Sequence, residues 1–153
     1  GSTSQLMAVA LKGRFEKLII ITNSIQNALL LSDVPGFTII LVGGVLNKDE
    51  YTIVNSMFSL EDSLHIDTYF MSASGIDPVI GCTDLGFSEA SVQNQMRHAA
   101  RRTVVYADSS KFGRASLVRV CPIEEVDCII TDRGLSEEQK NAFMERGANL
   151  VIV

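Results

Sequence analysis

Apolar residues in this chain fall in short blocks separated by polar segments rich in glycine, serine, asparagine and aspartate. The blocks Leu18–Ile21, Phe37–Val42, Thr68–Ala73, Thr103–Ala107, Leu117–Cys121, Asp127–Ile130 and Asn149–Val153 are dominated by Ile, Val and Leu. Near-continuous apolar runs of this kind predict strands buried on both faces. Helical patterns lie between them. Gln5–Leu11 has apolar positions at helix spacing, and Thr22-Asn23-Ser24 supplies N-cap chemistry for a helix reaching about Leu31. The more ambiguous segment Thr52–Leu60 is assigned as helix, and a polar helix is expected over about Ser88–Arg101. Ser136-Glu137-Glu138-Gln139 reads as a capping box, with Gly147 placed to stop the helix it starts. Strand–helix alternation predicts an α/β fold, a mostly parallel sheet with helices on both faces. No repeat or linker divides the chain, so residues 1–153 are expected to be one domain.

Composition narrows the classes. A content of 46% hydrophobic and 20% charged residues fits a globular protein and not a disordered one. No apolar run approaches the roughly 18 residues that span a bilayer, and no charged leader with an apolar core is visible. No membrane partner is expected, and a cytoplasmic location is. The three cysteines, Cys82, Cys121 and Cys128, lack metal or redox spacing, so neither a metal nor a cofactor is expected. The net charge of −5 argues against nucleic-acid binding by this segment. The basic cluster Arg97, His98, Arg101 and Arg102 is read as a solvated helix end that complements the macrodipole. The chain begins without Met, so it is expected to start inside a fold or to carry Gly1-Ser2 as a cloning remnant of a trimmed, larger protein.

The candidate chemistry sits where strands end. In open α/β sheets, ligands bind outside the carboxyl ends of the strands. Thr103–Ala107 runs into Asp108-Ser109-Ser110-Lys111-Phe112-Gly113, where Lys111 offers a charge, and hydroxyls and N–H groups offer hydrogen bonds, to a phosphate or carboxylate. Gly1-Ser2-Thr3-Ser4 precedes a helix and suits an anion or, equally, a plain cap. Thr22, Asn23 and Ser24 pose the same choice, capping against a sugar hydroxyl. Gly43-Gly44 allows a sharp turn or close ligand approach. Ser74-Gly75-Ile76-Asp77 carries a carboxylate fit for polyols or for an Asx turn. Glu89 is read most simply as an acid complementing a helix dipole. Together these groups suit a small anionic polyol such as a phosphorylated sugar.

The same residues resemble a known family. "TNS" at Thr22–Ser24, "LVGG" at Leu41–Gly44, "GID" at Gly75–Asp77, "GCT" at Gly81–Thr83, Glu89-Ala90, Met96, "DSSKFGR" at Asp108–Arg114 and "IITD" at Ile129–Asp132 occur in order. The pattern resembles the C-terminal effector domain of DeoR-family bacterial transcription regulators. That resemblance implies a Rossmann-like fold related to ribose-5-phosphate isomerase and glucosamine-6-phosphate deaminase. It also implies a phosphosugar effector, a homo-oligomer, and DNA contact only through an N-terminal winged helix-turn-helix that this chain lacks. By position, Gly1–Ser4 and Lys111 would hold phosphate; Asn23, Ser24, Gly43, Gly44, Ser74, Gly75 and Asp77 would line the pocket; Glu89 would face the sugar. Asn55 stands where the family usually has glycine, and Gln93 where lysine is common.

The alternative is a phosphosugar isomerase- or deaminase-like enzyme, with Glu89 or Asp77 as base and Lys111 as electrophilic partner. Its acid–base inventory is thin. His65 precedes a strand, His98 lies on a solvated helix face, and Cys82 has no identified base. A silent sensor pocket is therefore the expectation. A third reading is an oligomerisation module whose pocket has decayed.

Overall fold

In the computed structural model, residues 2–54 and 64–153 are described, and the chain divides into two units, Gly1–Phe58 and Ser59–Val153. The first contains helix α1 (Ser2–Lys12), strand β1 (Leu18–Thr22), helix α2 (Ile25–Leu31), strand β2 (Phe37–Leu41) and the short strands β3 (Val45–Asn47) and β4 (Thr52–Val54). β1 and β2 pair in parallel from Leu18↔Phe37 to Thr22↔Leu41, with α2 as the crossover that parallel strands require. Ile19, Ile40 and Leu41 remain exposed. Burial on both faces, expected for every strand, therefore fails for this pair.

β3 and β4 form an antiparallel hairpin, Val45↔Val54 to Asn47↔Thr52. This corrects the helix expected over Thr52–Leu60 at its start; the remainder, with Asn55, lies outside the described residues. Thr52, Ile53 and Val54 are all β-branched and favour extended backbone. Asn23 then fixes them there, its C=O accepting the Ile53 N–H at 2.7 Å.

The second unit holds the parallel sheet. Its elements are β5 (Ile66–Met71), β6 (Gly75–Asp77), β7 (Gly81–Asp84), α3 (Phe87–Ala99), β8 (Ala100–Tyr106), β9 (Val118–Cys121), β10 (Cys128–Thr131), α4 (Glu137–Glu145) and β11 (Leu150–Ile152). Four strands pair in the order β11-β10-β8-β5, every pair parallel. A second, antiparallel sheet has the order β6-β7-β9. The α/β class with a parallel sheet thus stands. Ser74-Gly75-Ile76-Asp77, read from the sequence as the polar end of a strand, instead enters a hairpin with β7, where Gly75 allows an approach that a side chain would block. A Cβ at Gly75 would meet the Arg114 carbonyl oxygen at 2.7 Å and Thr83 Oγ1 at 2.8 Å.

α3 packs on β5, β7, β8 and β9, burying Val92, Met96 and Ala99 along one stripe and Ala90 on another side of the helix. The core of this unit joins Met71, Ile76, Val105, Phe112, Ile129 and Phe143. Phe143, on α4, meets Phe112 edge-on with ring centroids 5.2 Å apart and planes at 74°, the geometry the aromatic quadrupole favours. α4 starts at the capping box expected from the sequence: Ser136 Oγ accepts the Gln139 N–H at 3.1 Å, and Gln139 Oε1 accepts the Ser136 N–H at 3.0 Å.

Phe143 is 1% exposed, so Phe143→Ala is expected to destabilise the fold by about 3–5 kcal/mol. Urea unfolding measures this. A loss below about 1 kcal/mol would mean that the ring is not part of a packed core.

Candidate functional site

In the first unit, the carboxyl ends of β1 and β2 lie side by side. The Val42 N–H donates to the Thr22 C=O at 2.9 Å, so the exposed Gly43-Gly44 leaves β2 next to Thr22-Asn23-Ser24. The polar groups of that triplet have local partners. Ser24 is the N-cap of α2, its Oγ accepting the Asn27 N–H at 3.3 Å, and Thr22 Oγ1 accepts the Ser24 N–H at 3.1 Å. Asn23 does not cap; its Nδ2 donates to the Ile53 C=O at 3.1 Å. Of Gly1-Ser2-Thr3-Ser4, α1 begins at Ser2, and Gly1 lies outside the described residues.

In the second unit, the loops after β5, β8 and β10 share the carboxyl edge of the parallel sheet. The loop 108–113 is docked there. Phe112 is buried, it forms a parallel bridge with Ile76, and the Gly113 N–H donates to the Ile76 C=O at 2.9 Å. Gly113 has φ of 68°, a conformation glycine adopts without steric cost. This docking brings Lys111 and Gly75-Ile76-Asp77, distant in sequence, onto one piece of structure. Lys111 is half-buried at the end of the 3-10 turn Ser109–Lys111.

Two carboxylates hold that turn. Asp108 Oδ1 accepts the Ser110 N–H at 3.0 Å and also the Ser110 hydroxyl. Asp132 Oδ2 accepts the Ser109 N–H at 2.8 Å, and its Oδ1 accepts the Gly134 N–H at 2.7 Å. The hydrogen bond from the Ser110 hydroxyl, ahead of its N–H, keeps the Asp108 carboxyl below the ordinary carboxylate range. Those from the Ser109 N–H and hydroxyl do the same for Asp132.

Asp77 closes the β6–β7 turn, its Oδ1 accepting the Val79 and Ile80 N–H groups, each at 2.8 Å. This is the Asx-turn reading of Asp77. The Glu89 carboxylate lies over Gly86, where a Cβ would come within 2.1 Å of Oε2, consistent with an acid at the first turn of α3. Ser74 Oγ donates to Asp84 Oδ1 at 2.9 Å, and the Thr83 hydroxyl donates to the Gly75 C=O at 2.9 Å. Thr83 and Asp84 are the residues that sequence reasoning passed over. The available signal was a threonine and an acid closing the strand that follows "GID".

Cys82 faces Cys121 across β7 and β9. The hydrogen bond that the Cys82 thiol donates to Cys121, together with burial, pushes the Cys82 thiol up, so it stays protonated and is no nucleophile. A cavity of about 380 Å³ lined by His65, His98 and Arg101 lies at the amino ends of β5 and β8. That is the opposite edge of the sheet from Lys111, so it does not belong to the strand-end site.

The lowered carboxyl values set a pH dependence. A group whose native pKa is depressed stabilises the fold fully above its unfolded value, near 4, and the contribution fades as pH falls through the native value. Melting temperature is therefore expected to drop as pH falls from about 5 to about 2, and to drop less steeply in an Asp108→Ala/Asp132→Ala variant. Parallel curves for the two proteins would show that these carboxylates do not hold the loop.

A profile of the DeoR C terminal sensor domain matches residues 1–133. The HTH-type transcriptional regulator GolR of Listeria innocua is 29% identical, covering 95% of this chain and 58% of that protein. The glycerol-3-phosphate regulon repressor of Haemophilus influenzae is 30% identical over 99% of this chain and 59% of its own length. The HTH-type transcriptional repressor GlcR of Bacillus subtilis is 34% identical over 87% and 52% respectively. The chain thus spans little more than half the length of these relatives. The matched span takes in the first unit, the second as far as Arg133, and every motif at the strand ends, and the chain belongs to the DeoR C-terminal sensor domain family.

Proposed function

We propose that this chain is the effector-binding domain of a bacterial transcriptional repressor, and that its effector is a phosphorylated sugar or a related metabolite. The observation that carries this reading is the state of the 108–113 loop. Its two carboxylates are engaged in holding the turn, while the Lys111 ammonium has neither a hydrogen bond nor an ion pair among the described residues. A cation on a backbone already fixed at the carboxyl edge of a parallel sheet is a fitting partner for a phosphate. The name of the Haemophilus relative, a glycerol-3-phosphate regulon repressor, supports a phosphate ester as the ligand class.

In this reading Lys111 holds the phosphate, with Thr3, Ser4 and the adjoining Gly1 and Ser2 as further anion contacts. Thr22, Asn23, Ser24, Gly43, Gly44, Ser74, Gly75 and Asp77 contribute polyol contacts, and Glu89 faces the sugar. The local hydrogen bonds of Ser24, Asn23 and Asp77 leave each of them further acceptor or donor capacity. We take the fold to be Rossmann-like, akin to ribose-5-phosphate isomerase and glucosamine-6-phosphate deaminase, and residues 1–153 to act as one domain. The intact regulator is taken to be a cytoplasmic homo-oligomer whose DNA contacts lie in another region; the net charge of −5 fits a segment that does not itself touch DNA. Among the described residues no helix is long and apolar enough to cross a membrane. Two groups of the isomerase alternative are otherwise engaged: Asp77 Oδ1 is committed to its turn, and the Cys82 thiol is buried and protonated.

Ligand at about 100 times its dissociation constant stabilises a native state by about 2.7 kcal/mol, so a thermal-shift screen against sugar and polyol phosphates is expected to yield a hit that the unphosphorylated compounds do not reproduce. Lys111→Ala is expected to weaken that ligand by about ten- to a hundredfold while leaving the melting temperature of the free chain nearly unchanged. Unchanged affinity would place the phosphate elsewhere, and turnover of any phosphosugar would replace the sensor with the enzyme.

A further inference from the structure

Asp84, at the end of β7, organises the polar groups beside Ser74. Its Oδ1 accepts from Ser74 Oγ at 2.9 Å and from the Leu85 N–H at 2.7 Å. Its Oδ2 accepts from Gln93 Nε2 at 2.6 Å. Gln93 Nε2 also points at the Ser72 C=O, at 3.4 Å. Both of those neighbours are acceptors, so the amide orientation is fixed by chemistry: nitrogen inward, oxygen away.

A carboxylate only accepts, so the one hydroxyl proton of Ser74 is committed to Asp84. The amide protons of Gln93 are directed at Asp84 and at the Ser72 carbonyl. What remains is a set of lone pairs: those of Ser74 Oγ, and Gln93 Oε1, which is buried with no hydrogen-bond partner among the described residues. A buried acceptor without a donor is costly, which makes it a place where an incoming donor is welcome. The negative charge of Asp84 lies directly behind these atoms and disfavours any anion there.

Resting on the sugar-phosphate reading above, we infer that Ser74, Asp84 and Gln93 form an acceptor-only subsite that reads the hydroxyl groups of the effector and turns its phosphate away. Ser74 and Gln93 are the contact residues, and Asp84 is the positioning residue that sets their polarity. Lys111 is the complement, offering donors alone. β5 and β8, the strands that lead into Ser72–Ser74 and into 108–113, are neighbours in the sheet, with Met71 opposite Val105. Adjacent strands lie about 4.8 Å apart, a spacing that one small phosphate ester spans. The effector is therefore oriented with its hydroxylated carbons toward the β5 side and its phosphate toward the β8 side.

Calorimetry with glucose 6-phosphate, fructose 6-phosphate, sn-glycerol 3-phosphate and inorganic phosphate tests this. Ser74→Ala keeps the residue-74 N–H on the Thr83 C=O, a bond of 3.0 Å, and so spares the backbone. It is expected to weaken the phosphate ester that binds by about tenfold and inorganic phosphate by less than about twofold. Asp84→Asn offers Gln93 a donor, reverses that amide and removes the charge. It is expected to weaken the ester but to tighten inorganic phosphate, a change of sign that mere loosening of the fold would not produce. Equal loss of ester and inorganic phosphate in Ser74→Ala, or no loss of either, would overturn the subsite. Should Asp84→Asn fail to fold, Ser74→Ala decides alone. Binding of none of the esters to the unsubstituted chain would instead overturn the effector class itself, and the subsite with it.

Discussion

The docking of the 108–113 loop on β6 is the constraint on which the second unit's polar edge depends. Phe112 contributes the energy: its ring is buried against Phe143, and apolar burial of that size outweighs the modest net value of any one hydrogen bond. The bond from the Gly113 N–H to the Ile76 C=O supplies direction, fixing which residue of the loop lies beside which residue of β6. Thr83, 1% exposed, adds a second tie by donating to the Gly75 C=O and accepting the Ser116 N–H at 2.8 Å. A cationic side chain and the "GID" segment are thereby held together by hydrophobic packing and backbone geometry.

The charges on that edge follow a single logic. Asp77, Asp84, Asp108 and Asp132 each direct carboxylate oxygens at backbone N–H groups, hydroxyls or an amide of their own neighbourhood. In Asp108 and Asp132 such bonds stabilise the ionised form, and in all four acids they occupy oxygens that a cation would otherwise meet. Four acids near one lysine would ordinarily suggest a neutralised, structural cluster. Because these acids work as turn and loop clamps, the surface retains a lysine able to meet an anion. The same residues that look like polyol ligands in the sequence are, in the fold, also the parts that keep the loops in place.

Much of this was legible in the sequence, and the failures share a cause. Strand blocks rich in Ile and Val, the Ser136 capping box and the polar helix preceding β8 are local patterns, and local physics decides them. The segment beginning at Thr52 was misassigned because its deciding partner, Asn23, lies 30 positions away. Asn23 itself was weighed between capping a helix and binding a sugar, and its amide instead bonds the Ile53 carbonyl. Gly75 reads in the sequence as part of a pocket lining, and in the fold it also admits the Arg114 backbone, which a side chain there would block. Asp84 carried no motif of its own, since its importance arises only when β7 and α3 bring Ser74 and Gln93 to it. Sequence patterns pointed to the carboxyl ends of the strands as the place for the chemistry. They could not reveal which polar atoms the fold would already have occupied.

That occupancy bears on how a sensor of this kind can signal. An effector shifts an equilibrium between two states only by the difference in its affinity for them. Contacts made to a loop that is packed identically in both states add to affinity and cancel from that difference. The 108–113 loop, anchored by a buried phenylalanine and by bonds to β6 and to Asp132 just after β10, has the character of a fixed reference point. If Lys111 holds the phosphate as proposed, it would set how tightly an anionic effector is held, while the coupling would have to arise from groups whose positions differ between states. On that proposal the energetic division is between an anchor for the phosphate and movable contacts elsewhere on the effector, and a ligand reduced to its phosphate alone would bind without signalling.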